Sequence, residues 1–209
     1  MRIHYSITSP FARKVRIFAA LTQEPNIQWI LTKPLETADF RAINPLGKIP
    51  ALETTAISLF DSTLICEYLD ELYCARGGVS LFQRGQADYF TVQKYHYLAN
   101  GIMDAAVASV MDQRRPDASA SAFWLRRWQD TIEAGLQAVA VEALGSGASV
   151  NIGGIAMVCA LGYLALRLPL IDPAVFNPQL AAWYAQQSQE PCFLATQPRD
   201  ERGYLSEFA

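Results

Sequence analysis

The spacing of apolar residues in this 209-residue chain changes repeatedly, and each change marks an element. Arg2 to Tyr5 reads as a first strand, closed by the loop Ser6-Ile7-Thr8-Ser9-Pro10. Phe11, Val15, Phe18 and Ala19 then recur at i, i+4, i+7 and i+8, the stripe of an amphipathic helix. Arg13, Lys14 and Arg16 lie mostly off that stripe. Pro10 suits the first helical position, where its missing N–H loses no bond. Ile27 to Leu31 alternates weakly and reads as a second strand, followed by a variable segment from Thr32 to Ile43. Ala51-Leu52 and the run Ala56 to Phe60 flank a short polar joint, which predicts a hairpin. Asp61-Ser62 then opens a helix. Leu64, Ile65, Tyr68, Leu69 and Leu72 form its apolar stripe, with Glu67, Asp70 and Glu71 on the other side.

The pattern changes after the loop Arg76-Gly77-Gly78-Val79-Ser80. From Arg84 to Asp112 the spacing is helical, with Pro116 as the expected stop. Phe123, Trp124, Trp128, Ile132, Leu136 and Val139 make a further stripe that fades at Gly145. Asn151 suits the cap of a central helix running from Ile152 to Leu166. Pro169 and Pro173 punctuate its exit, and Pro178 to Gln187 reads as a short helix around Trp183. The tail from Pro191 to Ala209 is polar and reads as partly extended. The order is βαβ, then ββα, then helices alone. Residues 1–78 are expected to form one domain and 84–209 a second, all-helical one.

Composition narrows the picture by exclusion. The chain is 51% hydrophobic and 18% charged, enough apolar material for an ample core. Its formal charge of −3 offers no footprint for nucleic acid, and neither side of residue 80 is a basic module. Cys66, Cys74, Cys159 and Cys192 are scattered without a CxxC or a Cys/His cluster, so neither a disulfide framework nor a metal site is expected. Ala143 to Leu166 carries no charge, but Gly145, Ser146, Gly147, Ser149 and Asn151 break it. The remainder falls short of the ~20 residues of a membrane span, so no membrane association is expected. The start MRIHYS lacks the apolar core of a signal peptide, which places the protein in the cytoplasm as an expectation.

The most specific motifs are SPFARKVRI, NPLGKIP and FDSTLICEYLDE. Asn44-Pro45-Leu46-Gly47 is turn material, Ile49-Pro50 leads into a strand, and Asp61-Ser62 begins a helix. Together they resemble the glutathione-binding core of the glutathione transferases. The resemblance spans nearly the whole chain and is weaker after residue 80. It implies a thioredoxin-like βαβ-ββα domain followed by a helical-bundle domain. It further implies a cis Ile49-Pro50 bond that turns the backbone of Ile49 outward, to pair with the cysteinyl part of glutathione like a short strand. Asp61 would take the γ-glutamyl ammonium, and Ser62 with the helix-start N–H groups its carboxylate. Pro50 and Phe11 are also placed with the glutathione contacts. On residue chemistry alone, a plain helix cap is the commoner role of Asp61-Ser62, and the upstream NPLGKIP tips the reading to the ligand.

Ser9-Pro10-Phe11-Ala12 stands where thioredoxins and glutaredoxins carry Cys-Pro-x-Cys. With Ser9 and Ala12 in the two Cys positions, dithiol chemistry at this site is excluded. Ser-Pro-Phe resembles the catalytic start of serine-type transferases, bacterial homologues included. That implies Ser9 as the donor that stabilises the glutathione thiolate, with Tyr5 as runner-up and Thr8 third. A hydroxyl beside unpaired helix-start N–H groups favours a sulfur anion without being a nucleophile itself. The alternative is that Ser9 or Thr8 only caps the helix.

Gly101-Ile102-Met103-Asp104 and Arg114-Arg115-Pro116 look like a small group of bacterial transferase homologues. In the family, this long helix lines the electrophile pocket and the dimer interface, which implies a homodimer. Tyr97, Asp104 and Met111 recur at a seven-residue step on one helical face that could turn toward the site, while for each singly plain core or surface is the commoner role. His4 and His96 have no ligand-spaced partners and read as ordinary. The family usually opens its central helix with Ser/Thr-x-x-Asp. Here the residues are Asn151-Ile152-Gly153-Gly154, and each Gly costs about 1 kcal/mol of helix stability against Ala. The function implied is a glutathione transferase, with glutathione as co-substrate and a small apolar electrophile or peroxide as its target. The alternative is a non-catalytic protein of the same fold that binds glutathione or an apolar ligand, or docks another protein.

Overall fold

A computed structural model of the protein describes residues 1–37, 39–115 and 119–199. The expected stop at Pro116 and the tail beyond residue 199 lie outside the described residues. The chain opens with β1 (Arg2–Tyr5), α1 (Pro10–Leu21) and β2 (Gln28–Leu31). A short α2 (Phe40–Ile43) follows, then β3 (Ala51–Glu53), β4 (Ser58–Leu59) and α3 (Ser62–Ala75). The four strands form one sheet in the order β2-β1-β3-β4. β1 pairs parallel with β2, placing Ile3 opposite Trp29. It pairs antiparallel with β3, and β3 with β4. This is the expected βαβ-ββα arrangement, with α2 falling inside the variable segment.

The helical part consists of α4 (Tyr89–Gln113), α5 (Ala122–Gln137), α6 (Ile152–Arg167), α7 (Pro173–Phe176), α8 (Pro178–Gln187) and α9 (Pro191–Ala195). Two 3₁₀ turns, Val141–Leu144 and Gly147–Ser149, join α5 to α6. The tail expected to be partly extended begins with a short helix at Pro191–Ala195, where a leading Pro supplies helical φ in a segment too short to show a period. Among the described residues no helix is long and apolar enough to cross a membrane.

α6 is the axis of the core, buried at every residue from Ile152 to Leu164. Asn151 caps it as expected. The Gly154 N–H donates to Asn151 Oδ1 at 3.1 Å, and Asn151 Nδ2 donates to the Ala143 carbonyl at 2.8 Å. The paired glycines have a packing reason. A Cβ at Gly154 would lie 2.3 Å from the Leu144 carbonyl oxygen, and one at Gly153 would lie 3.1 Å from that of Val92. At Gly154 backbone passes too close for any larger residue, and at Gly153 the approach is tight.

α1 departs from its expected amphipathic pattern. Arg13 and Lys14, assigned by periodicity to the polar side, are 1% and 0% exposed. The reason is that α1 packs against both α3 and α6. Arg13 reaches across to donate to the carbonyls of Val158 on α6 (3.2 Å) and Phe193 on α9 (3.0 Å). Gly162 makes room for it, because a Cβ there would meet Arg13 Nη1 at 2.2 Å. The joint between the two parts is held by Asp70 of α3. It accepts from the Ser80 hydroxyl (2.5 Å) and the Leu81 N–H (2.9 Å), with Arg84 alongside.

Candidate functional site

Two helix starts face the same opening. At the first, Ser9 is the N-cap of α1 in extended conformation, and Pro10 is the first helical residue. The Ala12 N–H donates to Ser9 Oγ at 3.2 Å, while the Ser9 N–H donates to Ser6 Oγ at 3.3 Å. The capping bond uses a lone pair of the hydroxyl. Its proton has no acceptor among the described residues, and Ser9 lines a cavity of about 450 Å³. The capping and donor roles, opposed in the sequence reading, are therefore compatible in one side chain.

At the second start, Asp61 is the N-cap of α3 and its Oδ1 accepts from the Thr63 N–H at 2.8 Å. Ser62, the first helical residue, is 2% exposed. Its hydroxyl has no hydrogen-bond partner among the described residues, and it lines a second cavity of about 580 Å³. The hydroxyl is left open to the cavity rather than sealed in the core, so it is available to a ligand there. Asp61, Pro50 and Tyr97 line the same cavity.

The two cavities share Phe11, Lys48, Ile49 and Asp104 and form one continuous depression. All six residues singled out from the sequence, Ser9, Phe11, Ile49, Pro50, Asp61 and Ser62, line it. The Ile49-Pro50 bond is cis. The turn before it is built as its residues dictate. Asn44 Nδ2 donates to the Lys48 carbonyl at 2.6 Å and Asn44 Oδ1 accepts from the Leu46 N–H at 3.0 Å. Gly47 takes φ +62°, which glycine adopts without strain.

Of the other thiolate-donor candidates, Thr8 lines the first cavity and Tyr5 lines neither. The Tyr5 ring packs edge-on against Trp29 at 5.7 Å, with the Arg16 guanidinium 5.2 Å from its centroid. The seven-residue step on α4 holds: Tyr97, Asp104 and Met111 all line the depression. Sequence reading missed Lys48, the cation shared by both cavities, and Arg114, Tyr163 and Arg167 at the helical wall of the first. Lys48 sat inside a quoted motif without being assigned a task. The other three come together only where α4 and α6 end side by side.

Beneath the second helix start lies a buried polar cluster. Lys14 Nζ donates to Asn100 Oδ1 (2.8 Å), His96 Nε2 (3.2 Å) and Thr63 Oγ1 (3.4 Å). Burial lowers the Lys14 pKa. Burial, then the neighbouring Lys14, pushes His96 down to about 3, so the imidazole is neutral and its Nε2 is an acceptor. His4 is tied to Thr32 and Glu53, each at 2.8 Å. Both histidines are thus engaged in the interior. Burial pushes the Cys66 and Cys159 thiols up to about 12 and about 11, so neither offers a thiolate. Asp104 is raised by partial burial and drawn back by Lys48. No cluster of three or more His, Cys, Asp or Glu fit for a metal occurs among the described residues.

A thioredoxin-like sheet followed by a helical bundle, with two polar helix starts on one depression, defines a class of protein, and relatives agree. The model of the glutathione S-transferase N-terminal domain matches residues 8–72. The chain is also 32% identical over 203 residues to the uncharacterized GST-like protein YibF of Escherichia coli K12, covering 95% of this chain and 98% of that one. The chain belongs to the glutathione transferase family. Among solved structures it is similar to a family member from Pseudomonas fluorescens Pf-5 with bound glutathione. That match has 34% identity and a TM-score of 0.86, covering 95% of this chain and 99% of the other. It is similar also to a glutathione S-transferase from Methylobacillus flagellatus KT with glutathione bound, at 33% identity and TM-score 0.85 with the same coverage.

Proposed function

We propose that this protein binds glutathione across the joined cavities and activates its thiol at Ser9 for attack on a small electrophile or peroxide. The observation that carries the reading is the pair of serine hydroxyls, Ser9 and Ser62, each at a helix N-terminus and each without an acceptor among the described residues. Glutathione has an anion to offer at both places. Its γ-glutamyl carboxylate suits Ser62 and the start of α3, its ammonium suits Asp61, and its thiolate suits Ser9 and the start of α1. The backbone of Ile49, between the two, is available to the cysteinyl amide, with Phe11 and Pro50 packing beside it. Lys48 is a cation for the glycyl carboxylate. Glutathione bound in relatives above 30% identity supports this assignment. Pro10, Pro34, Leu35, Val107 and Met111 give the first cavity an apolar wall for the second substrate. We place this activity in the cytoplasm.

Ser62→Ala tests the ligand assignment. A charge-assisted hydrogen bond contributes about 1.5–3 kcal/mol, so calorimetry should show glutathione binding one site per chain and weakening by roughly 10- to 100-fold in the variant. Equal affinities for wild type and variant would remove Asp61-Ser62 from the γ-glutamyl end.

The family resemblance further leads us to propose a homodimer. Light scattering at micromolar concentration is expected to give twice the 23.1 kDa chain mass, and a monomer alone would refute it.

A further inference from the structure

The helical wall of the first cavity carries charge that glutathione does not use. Arg114 is the first residue past α4, and Arg167 is the last residue of α6. Both sit at helix C-termini, where the backbone favours a cation. Both line the cavity, and neither side chain has an ion-pair or hydrogen-bond partner among the described residues. By contrast, Lys33 of the same cavity is paired with Glu36 at 3.2 Å. Tyr163, one turn before Arg167 on the same face of α6, lines the same cavity. It is 4% exposed, and its hydroxyl also has no partner among the described residues. Burial raises the phenol while Arg167 and then Arg114 pull it down, so both guanidiniums act on this group and it keeps its proton as a donor. Two guanidiniums, Arg114 exposed and Arg167 half-buried, and the Tyr163 hydroxyl, next to Val107 and Met111, suit a planar anion on an apolar body.

Building on the transferase reading, we infer that the second substrate carries a carboxylate, received by Arg114, Arg167 and the Tyr163 hydroxyl. For an acid such as a carboxylated benzylic halide, the chemistry closes without a further reactant. The thiolate sulfur bonds to the benzylic carbon, the halide leaves with its bonding pair, and the thiol proton passes to solvent.

The test uses two conjugates that differ in charge alone, S-(4-carboxybenzyl)glutathione and S-(4-carbamoylbenzyl)glutathione, titrated into the whole protein by calorimetry beside glutathione. The ratio of their dissociation constants cancels the shared glutathione part. In the wild type the acid is expected to bind about tenfold or more tighter than the amide. The ratio should approach one in the Arg114→Gln, Arg167→Gln double variant and take an intermediate value in Tyr163→Phe. Equal affinities in the wild type, or a preference that survives the double variant, would overturn the carboxylate pocket while glutathione binding stands. Absence of glutathione binding in the wild type would instead overturn the underlying reading, and this inference with it.

Discussion

Ser9→Ala should lose most conjugating activity at neutral pH and regain much of it as the pH rises. The start of α1 stays in place in the variant, and its contribution to a bound thiolate, about 0.3–1 kcal/mol, is retained. What is lost is the hydroxyl proton that has no acceptor among the described residues. A hydrogen bond to a charged group is worth about 1.5–3 kcal/mol, and 1.36 kcal/mol is one pKa unit, so the bound thiol should titrate about one to two units higher. Below the wild-type thiol pKa the thiolate fraction then falls by roughly 10- to 100-fold. Above the raised pKa both proteins carry full thiolate and the rates converge. A pH–rate profile and the ultraviolet absorbance of the bound thiolate read this directly.

The same substitution removes the bond from the Ala12 N–H, so it should also cost about 1 kcal/mol of stability. Ser9→Asp separates the two effects, because a carboxylate can cap the helix but cannot donate to sulfur: it should fold normally and remain inactive. A wild-type profile in Ser9→Ala together with collapse in Tyr5→Phe would transfer the role to Tyr5. The position of Tyr5, packed between Trp29 and Arg16, argues against that outcome.

Gly154→Ala is expected to destabilise the fold, the reverse of what helix propensity alone predicts. In an unobstructed helix interior the change should gain about 1 kcal/mol. Here the new methyl would stand 2.3 Å from the Leu144 carbonyl oxygen and 2.9 Å from Val150 Cγ2, inside a core with no room to yield. Overpacking of this kind costs about 1–3 kcal/mol, and in a chain of this size each kcal/mol moves the midpoint of thermal unfolding by about 2–4 °C. Gly101, on the exposed face of α4, has nothing within 4 Å of its Cβ position and serves as the control. Gly101→Ala should raise the midpoint while Gly154→Ala lowers it. Equal shifts of one sign would show that local propensity, rather than the approach of Leu144, governs the start of α6.

Periodicity and caps made most of the architecture legible. β1, α8 and the opening of α1 at Pro10 fall where the residues placed them, and Ser9, Asp61 and Asn151 cap the helices they were expected to precede. Those are local signals, carried by a few neighbouring side chains. The motifs also placed the six site residues around one depression, because a turn, a strand and two helix starts in this order bring their ends together.

Where the reading fell short, the deciding fact was remote in sequence. Arg13 and Lys14 looked solvent-facing because α6, which covers them, begins at Ile152, far along the chain. Gly153 and Gly154 looked like a weakness because the carbonyls of Val92 and Leu144 that exclude a side chain belong to other elements. α7 and α9 are too short for a period to emerge. Arg114 stood in a quoted motif without a task, Tyr163 and Arg167 stand out in no window, and the three acquire meaning where two helices end at one cavity.

The burial of Arg13 and Lys14 bears on how such chains can be recombined. These neighbours hang from the first helix, yet the partners of Arg13 are carbonyls of α6 and α9, and those of Lys14 include His96 and Asn100 of α4. A chimera cut at the loop 76–80 would inherit two buried basic side chains from one parent and most of their hydrogen-bond partners from the other. Shuffling halves between relatives therefore succeeds only among parents that share this handshake, whatever their electrophiles.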